Sequence, residues 1–229
     1  MIRALIFDFD GLIMDTESPE VDGWKAIYAE YGQEFPLQVW LRDVVGSTIA
    51  NFDPAAHLAD RLGRELDLPA LRARVRRHRL QALSISPALP GVMDCMAAAR
   101  RLGLRLAVAS SSEYAWVEKY LQQLGLWKAF EVLICREDVR NIKPEPDLFL
   151  AALEALKLQA DEVLVFEDSQ NGVLAARRAG IRVVAVPNPI TALGTIDGAS
   201  LVLSSLAEVP LEDLLIQVEI DIRRERLGK

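Results

Sequence analysis

Asp8 and Asp10 stand two residues apart at the end of the apolar run "RALIFDF", residues 3–9, a spacing that aims two carboxylates the same way at the mouth of a buried strand. Gly11 follows and lets the backbone turn sharply. A second acidic pair, Glu167 and Asp168, closes another apolar run, "EVLVF" at 162–166. Hard oxygen ligands converging from two strand ends suit Mg²⁺, which binds through few carboxylates together with water and substrate phosphate. Ser110, Ser111 and Ser112 follow "LRLAVAS" at 104–110 and open a helix, where hydroxyls and free N–H groups make an anion site. Lys143 precedes Pro144, which biases its backbone toward an extended form and presents a fixed ammonium ahead of a helix beginning near Pro146.

These groups belong to one chemistry. A carboxylate about 4 Å from a phosphate charge meets a repulsion of roughly 4 kcal/mol at an effective dielectric near 20. Mg²⁺, Lys143 and a helix N-terminus reverse that sign. Asp8 then attacks phosphorus to give an aspartyl-phosphate, the covalent route open to a carboxylate nucleophile. Asp10 protonates the leaving alcohol and later deprotonates the hydrolytic water, work that contributes about 10²- to 10⁴-fold.

The elements that must position these residues read as follows. Beside the three runs above, "EVLIC" at 131–135 and "IRVVAV" at 181–186 are strand candidates, and several are apolar on both faces, as in a parallel sheet covered on each side. Helical patterns alternate with them: Val117, Tyr120, Leu121 and Leu124 up to Gly125; Phe149, Ala152, Leu153 and Leu156; Val173, Ala176 and Ala179 up to Gly180. The expectation is a doubly wound α/β fold with a parallel sheet, whose ligands bind beyond the carboxyl ends of the strands. Residues 17–86 break the rhythm with helical patterns alone, beginning with Val21, Trp24, Tyr28 and Tyr31 before Gly32. They read as an all-helical cap inserted over the site, residues 1–16 and 87–229 forming the core and "PALPG" at 87–91 the return linker.

In "DFDGLIMDT", "AVASSS", "KPEPDLF" and "FEDSQNG", taken in order, the sequence resembles the haloacid dehalogenase superfamily, in its β-phosphoglucomutase-like phosphatase branch with a helical cap. The resemblance spans nearly the whole chain and implies a Rossmann-like core and cap closure that excludes water. It implies Asp8 as nucleophile and metal ligand, Asp10 as acid/base with its carbonyl on Mg²⁺, Asp168 as a direct metal ligand and Glu167 as reaching the metal or its waters. Ser110 and Lys143 would hold the phosphoryl group, with Phe9, Gly11, Ser111, Ser112, Glu20 and Gly46 as further phosphate or substrate contacts. Mutase members commonly carry a His at the position of Glu20 and an Arg at that of Ile49, so both basic groups are missing here. That favours a phosphatase acting on a small sugar phosphate over a phosphosugar mutase; a non-catalytic phosphate-binding protein is the remaining alternative. The true dehalogenases lack the second acid and need no metal, which sets them apart from a chain carrying Asp10 and Asp168.

Blander readings stand beside these. Ser111 and Ser112 equally suit an N-cap; Asp15 and Thr16 suit the turn into the cap, with Thr16 or Glu17 as an N-cap. "LRARVRRHR" at 71–79, His78 included, suits a solvated helix face, although an arginine there is placed to grip an anion. Trp24 suits cap packing. The 26 basic against 33 acidic residues give a net charge of −7, which draws neither nucleic acid nor an anionic membrane. Cys95 and Cys135 lie 40 positions apart without a CxxC pair, so they read as buried apolar residues, neither disulfide nor zinc site. The expected molecule is a monomeric, soluble, cytoplasmic enzyme with a small phosphate ester as its partner, and no stretch suggests a signal peptide or membrane span.

Overall fold

The computed structural model describes residues 1–44 and 52–226. Its centre is a six-stranded parallel sheet: β1 (Ala4–Phe7), β2 (Arg105–Ala109), β3 (Val132–Ile134), β4 (Val163–Glu167), β5 (Arg182–Ala185) and β6 (Leu201–Val202). The spatial order is β3-β2-β1-β4-β5-β6, so the chain runs outward from β1 in one direction and returns to β4 on its other side. Leu5 pairs with Leu106 on one flank and Leu164 on the other, which brings the ends of β1, β2 and β4 level. The reversal beside β1 is where open α/β sheets bind ligands.

Alternation along the strands explains the two layers. Leu5 and Phe7, Leu106 and Val108, Leu164 and Phe166 face one side, in a cluster with α5 (Val92–Arg101), α6 (Tyr114–Gln123) and α9 (Leu211–Arg226). Ala4 and Ile6, Ala107 and Ala109, Val163 and Val165 face the other, against α7 (Asp147–Leu156) and α8 (Gln170–Arg178). A strand buried on both faces must be apolar throughout, hence the near-continuous runs in the sequence.

Residues 18–83 supply four helices among the described residues: α1 (Ser18–Glu30), α2 (Leu37–Asp43), α3 (Pro54–Leu62) and α4 (Leu68–Leu83). Their apolar faces share a separate cluster built on Val21, Trp24, Ile27, Tyr28, Trp40, Leu58, Leu71 and Val75, joined from the sheet side by Ile190. Trp24 is packing, as its spacing suggested. The excursion is pinched at its base, where the Leu89 N–H donates to the Ile13 carbonyl at 2.8 Å. Among the described residues no helix is long and apolar enough to cross a membrane.

Three local readings change. β1 ends at Phe7, so Asp8 and Asp10 lie just beyond the strand, ahead of the turn at 11–13. The serine run does not open α6, which starts at Tyr114 after Glu113, and neither Ser111 nor Ser112 is its N-cap. Glu17 precedes α1 without a side-chain cap; the Asp15 carboxylate does that work, accepting from the N–H groups of Glu17 and Ser18 at 3.2 and 2.9 Å.

Candidate active site

The ends of β1 and β4 are held in contact by backbone geometry that only small residues allow. Asp8 N–H donates to the Phe166 carbonyl at 3.0 Å and Gly11 N–H to the Met14 carbonyl at 2.8 Å. Gly11 has φ +78°, and a Cβ there would run into Asp168 and Asn188. After β4, Ser169 caps α8 through a bond from Gly172 N–H to Ser169 Oγ at 3.1 Å, and a Cβ at Gly172 would overlap the Glu167 carboxylate. Glu167 Oε2 accepts from Asp168 N–H, Ser169 N–H and Ser169 Oγ at 3.1, 3.3 and 3.2 Å. Asn188 Nδ2 donates to Asp168 Oδ2 at 2.7 Å and fixes that carboxylate in turn.

Lys143 enters from the loop before α7. Its Nζ donates to Asp8 Oδ1 and, at 2.8 Å, to the Ala109 carbonyl, and it pairs with Glu167 Oε1 at 2.5 Å. All three charged side chains are buried. Burial presses the ammonium down, but Asp8 and Glu167 outweigh it and lift Lys143 above the ordinary lysine range. Burial raises the Asp8 carboxyl to about 8, against the pull of Lys143 and with the help of Glu167 and Asp10. Asp168 is also raised well above the carboxylate range, first by burial and then by Glu17, Glu167 and Asp8.

One ammonium therefore serves several buried carboxyls. Asp8, Glu167 and Asp168 offer oxygens all within 4.8 Å of one another. This excess of enclosed negative charge, presented by hard donors, fits a small divalent cation.

Above this floor lies a cavity of about 310 Å³, reached by Asp8, Asp10, Thr16, Glu17, Ser110, Ser111, Ser112, Lys143 and Asp168 from below and by Glu20, Trp40 and Arg79 from the helical excursion. Thr16 Oγ1, Glu17 Oε2, Ser111 Oγ and Arg79 Nε are enclosed without hydrogen-bond partners, and all four residues line this cavity. Buried polar atoms are rarely left so, and four of them around one space mark where a polar ligand or water completes the bonding. Glu17 is half-buried with its carboxyl enclosed; burial, then Asp10 and Glu20, push it up to about 8.

The structure thus gathers Asp8, Asp10, Ser110, Ser111, Lys143, Glu167 and Asp168 as the sequence led us to expect. Ser110 Oγ accepts from Ser112 N–H at 3.0 Å. Other expectations are corrected. The Phe9 side chain lies wholly in the apolar core, which leaves only its backbone near the site. Ser112 lines the cavity, and its Oγ donates to Asp10 Oδ2 at 2.6 Å. Glu20 lines the cavity but is paired with Arg79 at 2.8 Å. Gly46 and Ile49 lie outside the described residues. Of the basic cluster at 71–79, Arg72 and Arg74 pair with Asp53 and Glu30 on the surface, and Arg79 alone of the three turns to the cavity.

Sequence reasoning missed Trp116, whose indole Nε1 donates to Asp10 Oδ1 at 2.9 Å, together with Glu17 and Asn188. Asn188 had a visible signal, an Asn-Pro turn directly after the last clear strand run. Trp116 had none, since nothing in a helical stretch announces a partner 106 positions away.

A parallel sheet wound on both faces, with acids at two adjacent strand ends and a lysine between them, agrees with the match of residues 5–186 to the haloacid dehalogenase-like hydrolases; the chain belongs to that family. It is 42% identical over 215 residues to a Bacillus subtilis protein named "Putative phosphatase YhcW", covering 94% of this chain and 97% of that one. It is 30% identical to the Escherichia coli fructose-1-phosphate phosphatase YqaB, over 80% and 95% of the two chains. The crystal structure of CbbY from Rhodobacter sphaeroides in complex with phosphate superimposes with a TM-score of 0.67 at 26% identity, over 91% of this chain and 96% of that one. The enzyme class that follows is phosphatase.

Proposed function

We propose that the chain is a Mg²⁺-dependent phosphomonoester hydrolase that acts on a small sugar phosphate through an aspartyl-phosphate. The observation that carries the reading is the buried quartet of Asp8, Lys143, Glu167 and Asp168, with Asp10 beside it on one cavity. Asp8, Glu167 and Asp168, with the Asp10 carbonyl, would hold the metal, which when bound neutralises phosphate charge and lets an anionic nucleophile approach.

An oxygen of the Asp8 carboxylate forms a bond to phosphorus as the bond from phosphorus to the ester oxygen breaks. Asp10 gives its proton to that departing oxygen. Lys143 and Ser110 face the transferring phosphoryl group, where an ammonium and a hydroxyl stabilise its charge. Water then attacks phosphorus, Asp10 takes the water's proton, and the Asp8 carboxylate leaves with its oxygens restored and phosphate released. In this reading residues 17–86 are the cap and residues 1–16 and 87–229 the catalytic core. Support comes from the separate apolar cluster of α1–α4 and from Glu20, Trp40 and Arg79, which face the acids across the cavity. The Cys95 and Cys135 thiols are buried and pushed up to about 12 by that burial, and they take no part.

The experiment is phosphate release from a panel of hexose, pentose and triose phosphates, with Mg²⁺ or with chelator, for the wild type and Asp8→Asn. Release that requires both the metal and Asp8, concentrated on a few sugar phosphates, is the expected result. Turnover that survives either removal would refute the mechanism, and isomerisation without free phosphate would replace hydrolase by mutase.

A further inference from the structure

We propose that Trp116 is the positioning residue of Asp10, its indole N–H fixing the plane in which the acid/base carboxylate meets the leaving group. The inference deepens the phosphatase reading and rests on it. The Asp10 backbone is pinned by its bridge to Met14, so rotation about its own side chain is what would take the carboxylate out of reach. Two donors oppose that rotation: Trp116 Nε1 on Oδ1 at 2.9 Å and Ser112 Oγ on Oδ2 at 2.6 Å.

The donors are not equivalent. A serine hydroxyl rotates and either gives or accepts a hydrogen bond, whereas an indole N–H only gives. When Asp10 carries the proton meant for the departing oxygen, Ser112 can turn away or accept. Trp116 holds the same oxygen in both protonation states. The indole is itself located from two sides, edge-on to Tyr120 with ring centroids 4.7 Å apart and beneath the Arg79 guanidinium carbon at 4.6 Å from its centroid. Arg79 is carried by α4 and tied to Glu20 on α1, so the platform over the indole comes from the helical excursion.

The test is leaving-group dependence. A p-nitrophenolate departs without a proton and a sugar alkoxide does not, and kcat/KM reports the steps up to that departure. Trp116→Phe keeps a ring beneath Arg79 and removes the N–H; it is compared with the wild type on p-nitrophenyl phosphate and on the best sugar phosphate of the panel. The expected loss in kcat/KM is about 10- to 100-fold on the sugar phosphate and under about threefold on p-nitrophenyl phosphate. Equal losses on both compounds, or no loss on the sugar phosphate, would overturn the assignment. A wild type that turns over neither compound refutes the phosphatase reading itself, before any variant is made. If thermal unfolding shows that phenylalanine disturbs the fold, site-specific β-(benzothiophen-3-yl)alanine at position 116 replaces the N–H by sulfur within the same ring shape. The same two losses then decide.

Discussion

The floor of the cavity and its roof are built on different principles. The floor is set by backbone: two glycines whose missing Cβ atoms make room for carboxylates, strand ends kept level by parallel pairing, and a lysine enclosed among acids. The roof is set by side chains on α1 and α4, chiefly the Glu20–Arg79 pair, which a rotamer change can move. The floor therefore tolerates almost no substitution, and the roof tolerates many at a graded cost in recognition.

The sharpest way to break that contrast is at the floor. Asp8→Asn is expected to lower phosphate release by about 10⁴-fold or more, as loss of a nucleophile does elsewhere, with the fold intact by circular dichroism. Gly172→Ala drives a methyl group into the Glu167 carboxylate and is expected to cost about 3 kcal/mol in urea unfolding, whereas alanine at the open turn of Gly32 costs about 1 kcal/mol for its backbone alone. A roof substitution should behave otherwise. Arg79→Met, which removes the guanidinium that pairs with Glu20 and covers Trp116, is expected to lose about tenfold in kcat/KM on the sugar phosphate, with stability changed by less than about 1 kcal/mol. If Arg79→Met unfolds the chain or Gly172→Ala leaves it untouched, the contrast fails.

The smallest effect lies where floor and roof meet. Glu17 titrates higher in the folded chain than in the unfolded one, so its contribution to stability is full below the ordinary glutamate pKa and is lost as pH rises through about 8. Glu17→Gln, measured by chemical unfolding in chelator, should match the wild type near pH 4 and gain on it progressively from there to about pH 8. An advantage that stays constant with pH would assign the effect to something other than that carboxyl.

The same division governs what could be read from the sequence. Strands buried on both faces must be apolar, so β1, β2, β4 and β5 were legible, and with them the acids that follow β1 and close β4 and the serines that follow β2. β6 contributes only Leu201 and Val202 at the sheet edge, too short to show a period. Ser112 was legible as a polar residue after a strand but not as a partner of Asp10, because only the turn after Phe7 decides which hydroxyl faces that acid. Arg79 was one of several arginines, and what singles it out is the rotation of α4 over the site. Backbone-determined features leave a local signature in composition; features made by helices meeting in space do not.

The bond from Leu89 to Ile13 brings the chain's departure from the sheet and its return to within one hydrogen bond of each other. An insertion closed at its own base costs the host nothing in loop span. Its length and sequence can then drift, or be exchanged wholesale, while the register of β1 against β2 and β4 is preserved. On the proposed reading of residues 17–86 as the cap, substrate choice is a cassette that can be exchanged on an unchanged catalytic base, and new specificities can arise from old ones without the core having to refold.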